Sequence, residues 1–276
     1  MIRLLVLFLA VMATGQAAAQ SARRPSHCIA IADAAPGLQD LTLASYGAPL
    51  PDYTVRINYV AHATFLIETQ GGLQVATDYA GFLGDATVVP DVVTMNVAHS
   101  THNTPTPDPR IPHVLKGWNP KGGPAVHHLD LGEMLVRNVP TNIRDGFGGA
   151  IRDGNSIFVF EVAGLCIGHL GHLHHEPDDL TYAALGRLDV VMAPVDGGMT
   201  LDRDSMIRVL KRLRSSLVLP MHWFGDYTLA GFLDGMAGDF AVQRPGQSWI
   251  EISARSLPKT PTIMVLRPAY LRIPQE

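Results

Sequence analysis

Short apolar runs rich in β-branched and aromatic residues recur along this chain, and several stop at a histidine or an aspartate. TVRINYV and ATFLIET read as strands, and Gly71-Gly72 makes a hairpin turn from the second of them into LQVATD. VVTMNV, EMLVRNV, SIFVFEV and LCIGHL read as further strands, whereas residues 103–125, rich in Pro and Gly, read as loop. The second half alternates. LDVVMAPV and SLVLPMH are strand-like, and SWIEIS and TIMVLRP close the chain. Between them DDLTYAALG, capped by Asp178, and LAGFLDGMA are helix-like. In DRDSMIRVLKRLRSS, Met206, Val209, Leu210 and Leu213 fall on one helical face. Hairpins followed by αβ units predict an α/β fold, sheets with helices packed outside them.

Composition narrows the class. With 276 residues, 47% hydrophobic and 17% charged, the chain is globular, and its net charge of −4 gives no basic footprint for nucleic acid. The first residues, MIRLLVLFLAVMATGQAAAQ, have Arg3, a ten-residue apolar stretch and small residues at Ala17 and Ala19. This predicts a signal peptide over 1–19, too short to span a bilayer, and a mature chain in the bacterial periplasm or secreted. Residues 20–50, rich in Ala, Pro, Gly and Ser, read as an N-terminal arm, and 51–276 as one domain. In an oxidising compartment Cys28 and Cys166 could pair; two buried thiols are the alternative. Oligomeric state is left open.

The polar residues that end the runs are the candidates for chemistry. Asp78 follows LQVAT, His99 and His102 follow VVTMNV, and His169 and His172 follow LCIG. Asp196 follows VVMAPV, and His222 follows LVLPM. A strand end aims a side chain while the loop beyond leaves space, so ligands gather there. Imidazoles in separate segments predict a shared metal site built from His99, His102, His172 and His222. Zinc suits such a set: one ion, with two as the alternative. Zinc lowers the pKa of bound water to ~7, which predicts a hydrolase using metal-bound hydroxide. His62, in the AHA stretch, faces the site in this reading and orients a ligand or water.

The order of segments resembles the metallo-β-lactamase superfamily, in particular the branch that includes ascorbate-6-phosphate lactonase. YVAHATFLIETQGGLQVATD, PDVVTMNVAHSTHN, GNSIFVFEVAGLCIGHLGHLHH, LDVVMAPVDGGMTLD and LVLPMHW carry it, from about Ile57 to His222. The resemblance implies a four-layered αββα sandwich with the site between the sheet edges. It also exposes departures. The family's H-x-H-x-D-H places Val97, His99, Thr101 and His102 at its ligand positions, so the first histidine and the aspartate are missing. Arg144 falls near another ligand histidine, His172 on the bridging aspartate, and His222 on the last histidine.

The resemblance gives Asp78 the task of bracing the histidine loop, and it brings His175, rather than His174, near the site. It puts Asp196 in a turn beside the metal, as a base or an extra oxygen ligand. Arg144 would hold an anionic group of a small substrate. The substrate bond is then an ester, lactone, amide or phosphoester. The rival reading is a catalytically inactive periplasmic protein that binds metal or ligand on the same fold.

Overall fold

The computed structural model describes residues 23–29, 47–85, 87–97 and 99–272. The expected signal peptide and most of the N-terminal arm lie outside the described residues. No helix among those described is long and apolar enough to cross a membrane.

Two sheets face each other. The first opens with β1 (Val55–Ala61), β2 (Thr64–Glu68) and β3 (Gln74–Ala76), continues with β4 (Val92–Met95) and β5 (His113–Lys116), and is completed much later by β13 (Trp249–Ile252). Its order is β13-β1-β2-β3-β4-β5. β2 and β3 pair antiparallel across the Gly71-Gly72 turn, as the sequence predicts. The second sheet contains β6 (His128–Asp130), β7 (Met134–Arg144), β8 (Ala150–Val162), β9 (Leu165–His169), β10 (Val190–Pro194), β11 (Leu217–Met221), β12 (Ala241–Gln243) and β14 (Thr262–Met264). Its order is β12-β14-β11-β10-β9-β8-β7-β6.

Alternation along the strands decides which face each residue serves. Val55, Ile57 and Tyr59 of β1, with Phe65 and Ile67 of β2, face Phe158, Phe160, Ile167 and Met192 of the second sheet. Burying each such side chain contributes about 1.5–3 kcal/mol before entropy is counted. The intervening Arg56 points to the opposite face. It is 1% exposed and pairs with Glu251 at 2.7 Å.

Helices cover the outer face of the second sheet. They are α1 (Asp179–Leu185), α2 (Arg203–Leu213) and α3 (Asp226–Met236). Asp178 caps α1 through the Thr181 amide at 2.8 Å, and Asp202 caps α2 through the Ser205 amide at 3.0 Å. Of the expected stripe, Met206, Val209 and Leu210 pack with Val191 and Val218, and Leu213 packs half-buried against the same cluster. Among the described residues, Tyr79, Leu83, Ile111 and Leu271, which lie in coil, cover Leu66, Val93 and Met95 on the outer face of the first sheet.

Cys28 and Cys166 form a disulfide, which settles the alternative left open by the sequence. It ties the segment around residue 28 to β9. Glu161 reinforces the tie, accepting from the His27 amide at 2.9 Å, the Ser26 hydroxyl and Arg137 Nε at 2.7 Å.

Candidate metal centre

The strands of both sheets deliver their terminal residues to one edge of the sandwich. β1 and β2 are joined by a two-residue turn in which His62 has φ of 45°. The turn is pinned at its carbonyl: His62 O accepts from Tyr59 Oη at 2.7 Å and from the His222 amide at 3.0 Å. His222, just beyond β11, has φ of 58°, and Asp78, just beyond β3, has φ of 40°. All three bend the chain sharply at a strand end with a non-glycine residue, a conformation that costs about 1–2 kcal/mol each.

The loop after β4 folds back on itself, with the Asn96 amide donating to His102 O at 3.0 Å and the His102 amide to His99 O at 2.9 Å. Asn103 Nδ2 closes it on Asn96 O at 2.9 Å. Asn96 also bridges the sheets, its Nδ2 donating to Asp78 Oδ1 at 2.8 Å and its Oδ1 accepting from the Ser156 amide at 2.8 Å. Gly171 precedes His172 with φ of 60°, and a Cβ there would lie 2.5 Å from both Asn155 Oδ1 and Asn96 Nδ2. Only glycine lets β9 turn here and bring His172 forward.

The result is a cluster of imidazoles. His62, His99, His102 and His222 each offer a ring nitrogen, all within 4.8 Å of one another. The His62 and His222 ring centroids are 4.0 Å apart, and those of His99 and His102 are 4.5 Å apart. His172 closes the edge, its centroid 4.8 Å from that of His102 and 5.0 Å from that of His222.

Two carboxylates stand behind the rings. Asp78 Oδ2 lies 2.6 Å from His102 Nδ1, and Asp196 Oδ2 lies 2.9 Å from His222 Nδ1. Asp78 holds the proton on His102 Nδ1 and leaves its Nε2 lone pair free, while Asp196 stands as a charge beside His222 Nδ1, an atom with no hydrogen-bond partner. The Nε2 atoms of His62, His102 and His222 are buried and have no hydrogen-bond partner. Such orphans are costly unless something else occupies them. A divalent cation fits the donor set, because neutral imidazole with its far nitrogen on a carboxylate is how histidine binds metal.

The protonation pattern agrees. Burial, and then the neighbouring rings, pull His62 down to about 3 and His102 and His172 down to about 2, so all three are neutral at pH 7. His99 is lowered as well, again by burial first. Burial pushes Asp78 up to about 6. Burial acts the same way on Asp196, but the adjacent His222 ring and the hydrogen bonds from Thr200 and the loop amides outweigh it and hold the carboxyl well below its usual range.

A family model described as a beta-lactamase superfamily domain matches residues 56–222, more than half of the chain. The chain belongs to the metallo-β-lactamase superfamily. Among solved structures, a Thermotoga maritima protein assigned to the Zn-dependent hydrolases of this superfamily aligns with TM-score 0.56 and 22% identity, over 77% of this chain and 98% of that one. A Parabacteroides distasonis protein assigned as a metal-dependent hydrolase aligns with TM-score 0.50 and 14% identity, over 67% and 89%. At these identities the likeness concerns the fold. No curated protein matches the chain.

The superfamily's usual ligand positions can now be followed through this site. Thr101, in place of aspartate, has its hydroxyl 2.8 Å from His99 Nδ1 and so holds that ring from behind. Arg144 has a different task from the one expected. Its Nη2 donates to the carbonyls of Gly198, Met199 and Thr200 at 2.8, 2.9 and 2.7 Å, so it clamps the loop after β10 and is not free to grip a substrate anion there. Asp196 is likewise a loop organiser. It accepts from the amides of Gly198, Met199 and Thr200 and from the Thr200 hydroxyl while facing His222, so it is no free base.

The expectation for His175 is reversed. It is exposed, whereas His174 reaches His172, with Nε2 2.5 Å from His172 Nδ1. Only the resemblance brings His175 inward; along an extended segment His174, two residues beyond His172, falls on the same side as that ring, and the structure follows this alternation. His169 is a bolt, its Nε2 donating to Ala63 O at 2.8 Å and its Nδ1 accepting from the Gly171 amide at 3.1 Å. His62 is closer to the centre than expected, as a donor in its own right. Its signal was present in the sequence, since it too ends an apolar run. Phe224, 60% exposed, stands beside His62 and His222 with centroids 5.6 and 5.3 Å away and forms an apolar wall.

Proposed function

We propose that this chain is an exported zinc-dependent hydrolase acting on an ester, lactone, amide or phosphoester of a small substrate. The observation that carries the reading is the trio of buried, unpartnered Nε2 atoms on His62, His102 and His222, that of His102 held in the metal-binding tautomer by Asp78 and that of His222 backed by the Asp196 charge. With His99 they make an all-imidazole set suited to one zinc ion. Both nearby carboxylates stand behind rings, which favours one ion over a pair.

A bound zinc ion supplies Lewis acidity, which polarises a carbonyl or phosphoryl oxygen and acidifies water. The chain supplies the rest. Asp78 and Thr101 fix the rings of the loop after β4, Arg144 and Asp196 fix the loop beside His222, and Phe224 offers an apolar surface to the substrate. The membership of the superfamily and the Zn-dependent assignment of the Thermotoga maritima protein support the same chemistry. Export is supported by the leader-like first residues and by the Cys28–Cys166 disulfide, which suits an oxidising compartment.

Elemental analysis of the purified protein tests the metal, with about one zinc per chain expected and lost in His222→Ala. Hydrolysis of p-nitrophenyl acetate, a simple lactone and bis(p-nitrophenyl) phosphate, with and without chelator, tests the enzyme. The inactive binding protein remains the second reading, favoured by Val97 and Thr101 at ligand positions and by Arg144 locked in a loop. Zinc held without chelator-sensitive turnover on any probe would decide for it. Sequencing the N-terminus of the exported protein checks the cut after Ala19.

A further inference from the structure

The proposed ligand set leaves His172 and His174 unused, although both are tied into the centre. The hydrogen bonds around them can be followed from one end. The Arg144 backbone amide donates to His174 Nδ1 at 2.7 Å. An amide can only donate, so His174 Nδ1 is an acceptor, and a neutral imidazole then carries its proton on Nε2. That Nε2 faces His172 Nδ1 at 2.5 Å, so His172 Nδ1 must accept and the His172 proton sits on Nε2. His172 Nε2 in turn faces His99 Nε2 at 3.2 Å, and the His99 Nδ1–H donates to the Thr101 hydroxyl oxygen at 2.8 Å. One backbone amide thus sets the tautomer of three successive rings.

Resting on the metal reading above, we infer that His172 is not a zinc ligand but an Nε2–H donor aimed into the centre, with His174 as its positioning residue. Coordination through His172 Nε2 would require the proton on Nδ1. His174 would then have to accept at both nitrogens, which is an imidazolate. The backbone of His172 is also anchored, its amide donating to Asn155 Oδ1 at 2.8 Å, and the ring is oriented by its Nδ1 contact with His174. When His99 Nε2 gives its lone pair to a metal, the His172 N–H loses its acceptor while still facing the site. An oxygen of the substrate's carbonyl or phosphoryl group is the acceptor that chemistry offers in its place. The position where the superfamily resemblance expects a bridging ligand therefore serves substrate recognition.

Long-range proton–nitrogen NMR of the full mature chain, with and without zinc, reads the tautomer directly. A protonated His172 Nε2 in the zinc-loaded protein is expected; a metallated Nε2 with the proton on Nδ1 overturns the inference. In parallel, His172→Gln should keep one zinc per chain and leave the visible spectrum of the cobalt-substituted protein unchanged, while His222→Ala loses metal by more than about 100-fold. Loss of zinc or a changed cobalt spectrum in His172→Gln overturns it. If the unaltered chain takes up no zinc, the metal reading fails separately. The metal-free spectrum then still decides the tautomer, with His172 Nε2–H supporting the relay and Nδ1–H refuting it.

Discussion

Asp78→Asn should be far more damaging to metal binding than to folding. The exchange is nearly isosteric, and asparagine tolerates the φ of 40° at this position. The new amide has two neighbours to satisfy. Asn96 Nδ2 donates to Oδ1, and Asn96 cannot flip, because its Oδ1 holds the Ser156 amide. The carbonyl oxygen of the substituted side chain must therefore face Asn96, and its NH2 must face His102 Nδ1, 2.6 Å from the present carboxylate oxygen. His102 is then forced to accept on Nδ1 and to carry its proton on Nε2, the atom that should bind metal. Loss of such a supporting partner costs about 10–100-fold in affinity, and the tautomer change places this variant at the upper end, about 2.7 kcal/mol. Competition against a chromophoric zinc chelator reads the affinity. Urea unfolding of the metal-free proteins separates it from stability, where a change of no more than about 1–2 kcal/mol is expected. Zinc affinity equal to that of the unaltered chain would refute the argument, because it would mean that His102 does not bind through Nε2.

Three further outcomes can be measured. Stability of the metal-free protein should fall as the pH drops below 6.5: His62 and His102 sit near 3 and 2 in the folded chain, so the unfolded chain takes up protons first, and urea midpoints at pH 7 and pH 5 check the sign. Replacing both Cys28 and Cys166 by Ser should cost about 4–5 kcal/mol in denaturant unfolding, since the bond joins residues 138 apart in sequence; an unchanged midpoint would contradict it. Gly171→Ala should destabilise by about 2–4 kcal/mol, because left-handed strain adds to the collision with Asn155 and Asn96, and calorimetry gives the number.

Much of the fold was legible because the two sheets are built from strands whose apolar character is strong. β1, β2, β4, β9, β10 and β11 fall where the runs fall, and α2 shows its stripe of Met206, Val209 and Leu210. β5 and β12 were hidden in polar or loop-like sequence because edge strands bury little. β8 starts six residues before the apolar run SIFVFEV, since Ala150–Asp153 extends the hairpin into solvent with no hydrophobic face to announce it. A single rule, a histidine at a strand end, singled out His99, His102, His172 and His222, whose rings the fold brings together. What stayed hidden depends on backbone direction. The resemblance points to His175 where plain alternation from His172 favours His174, and the three carbonyls that occupy Arg144 belong to a loop whose path no local pattern specifies.

The left-handed backbone at His62, Asp78 and His222 sets function against thermodynamics. At His62, the least buried of the three, glycine would relax the turn at once while removing a nitrogen from the cluster. Directed evolution for heat tolerance without selection for zinc should therefore drift toward glycine there, trading activity for robustness.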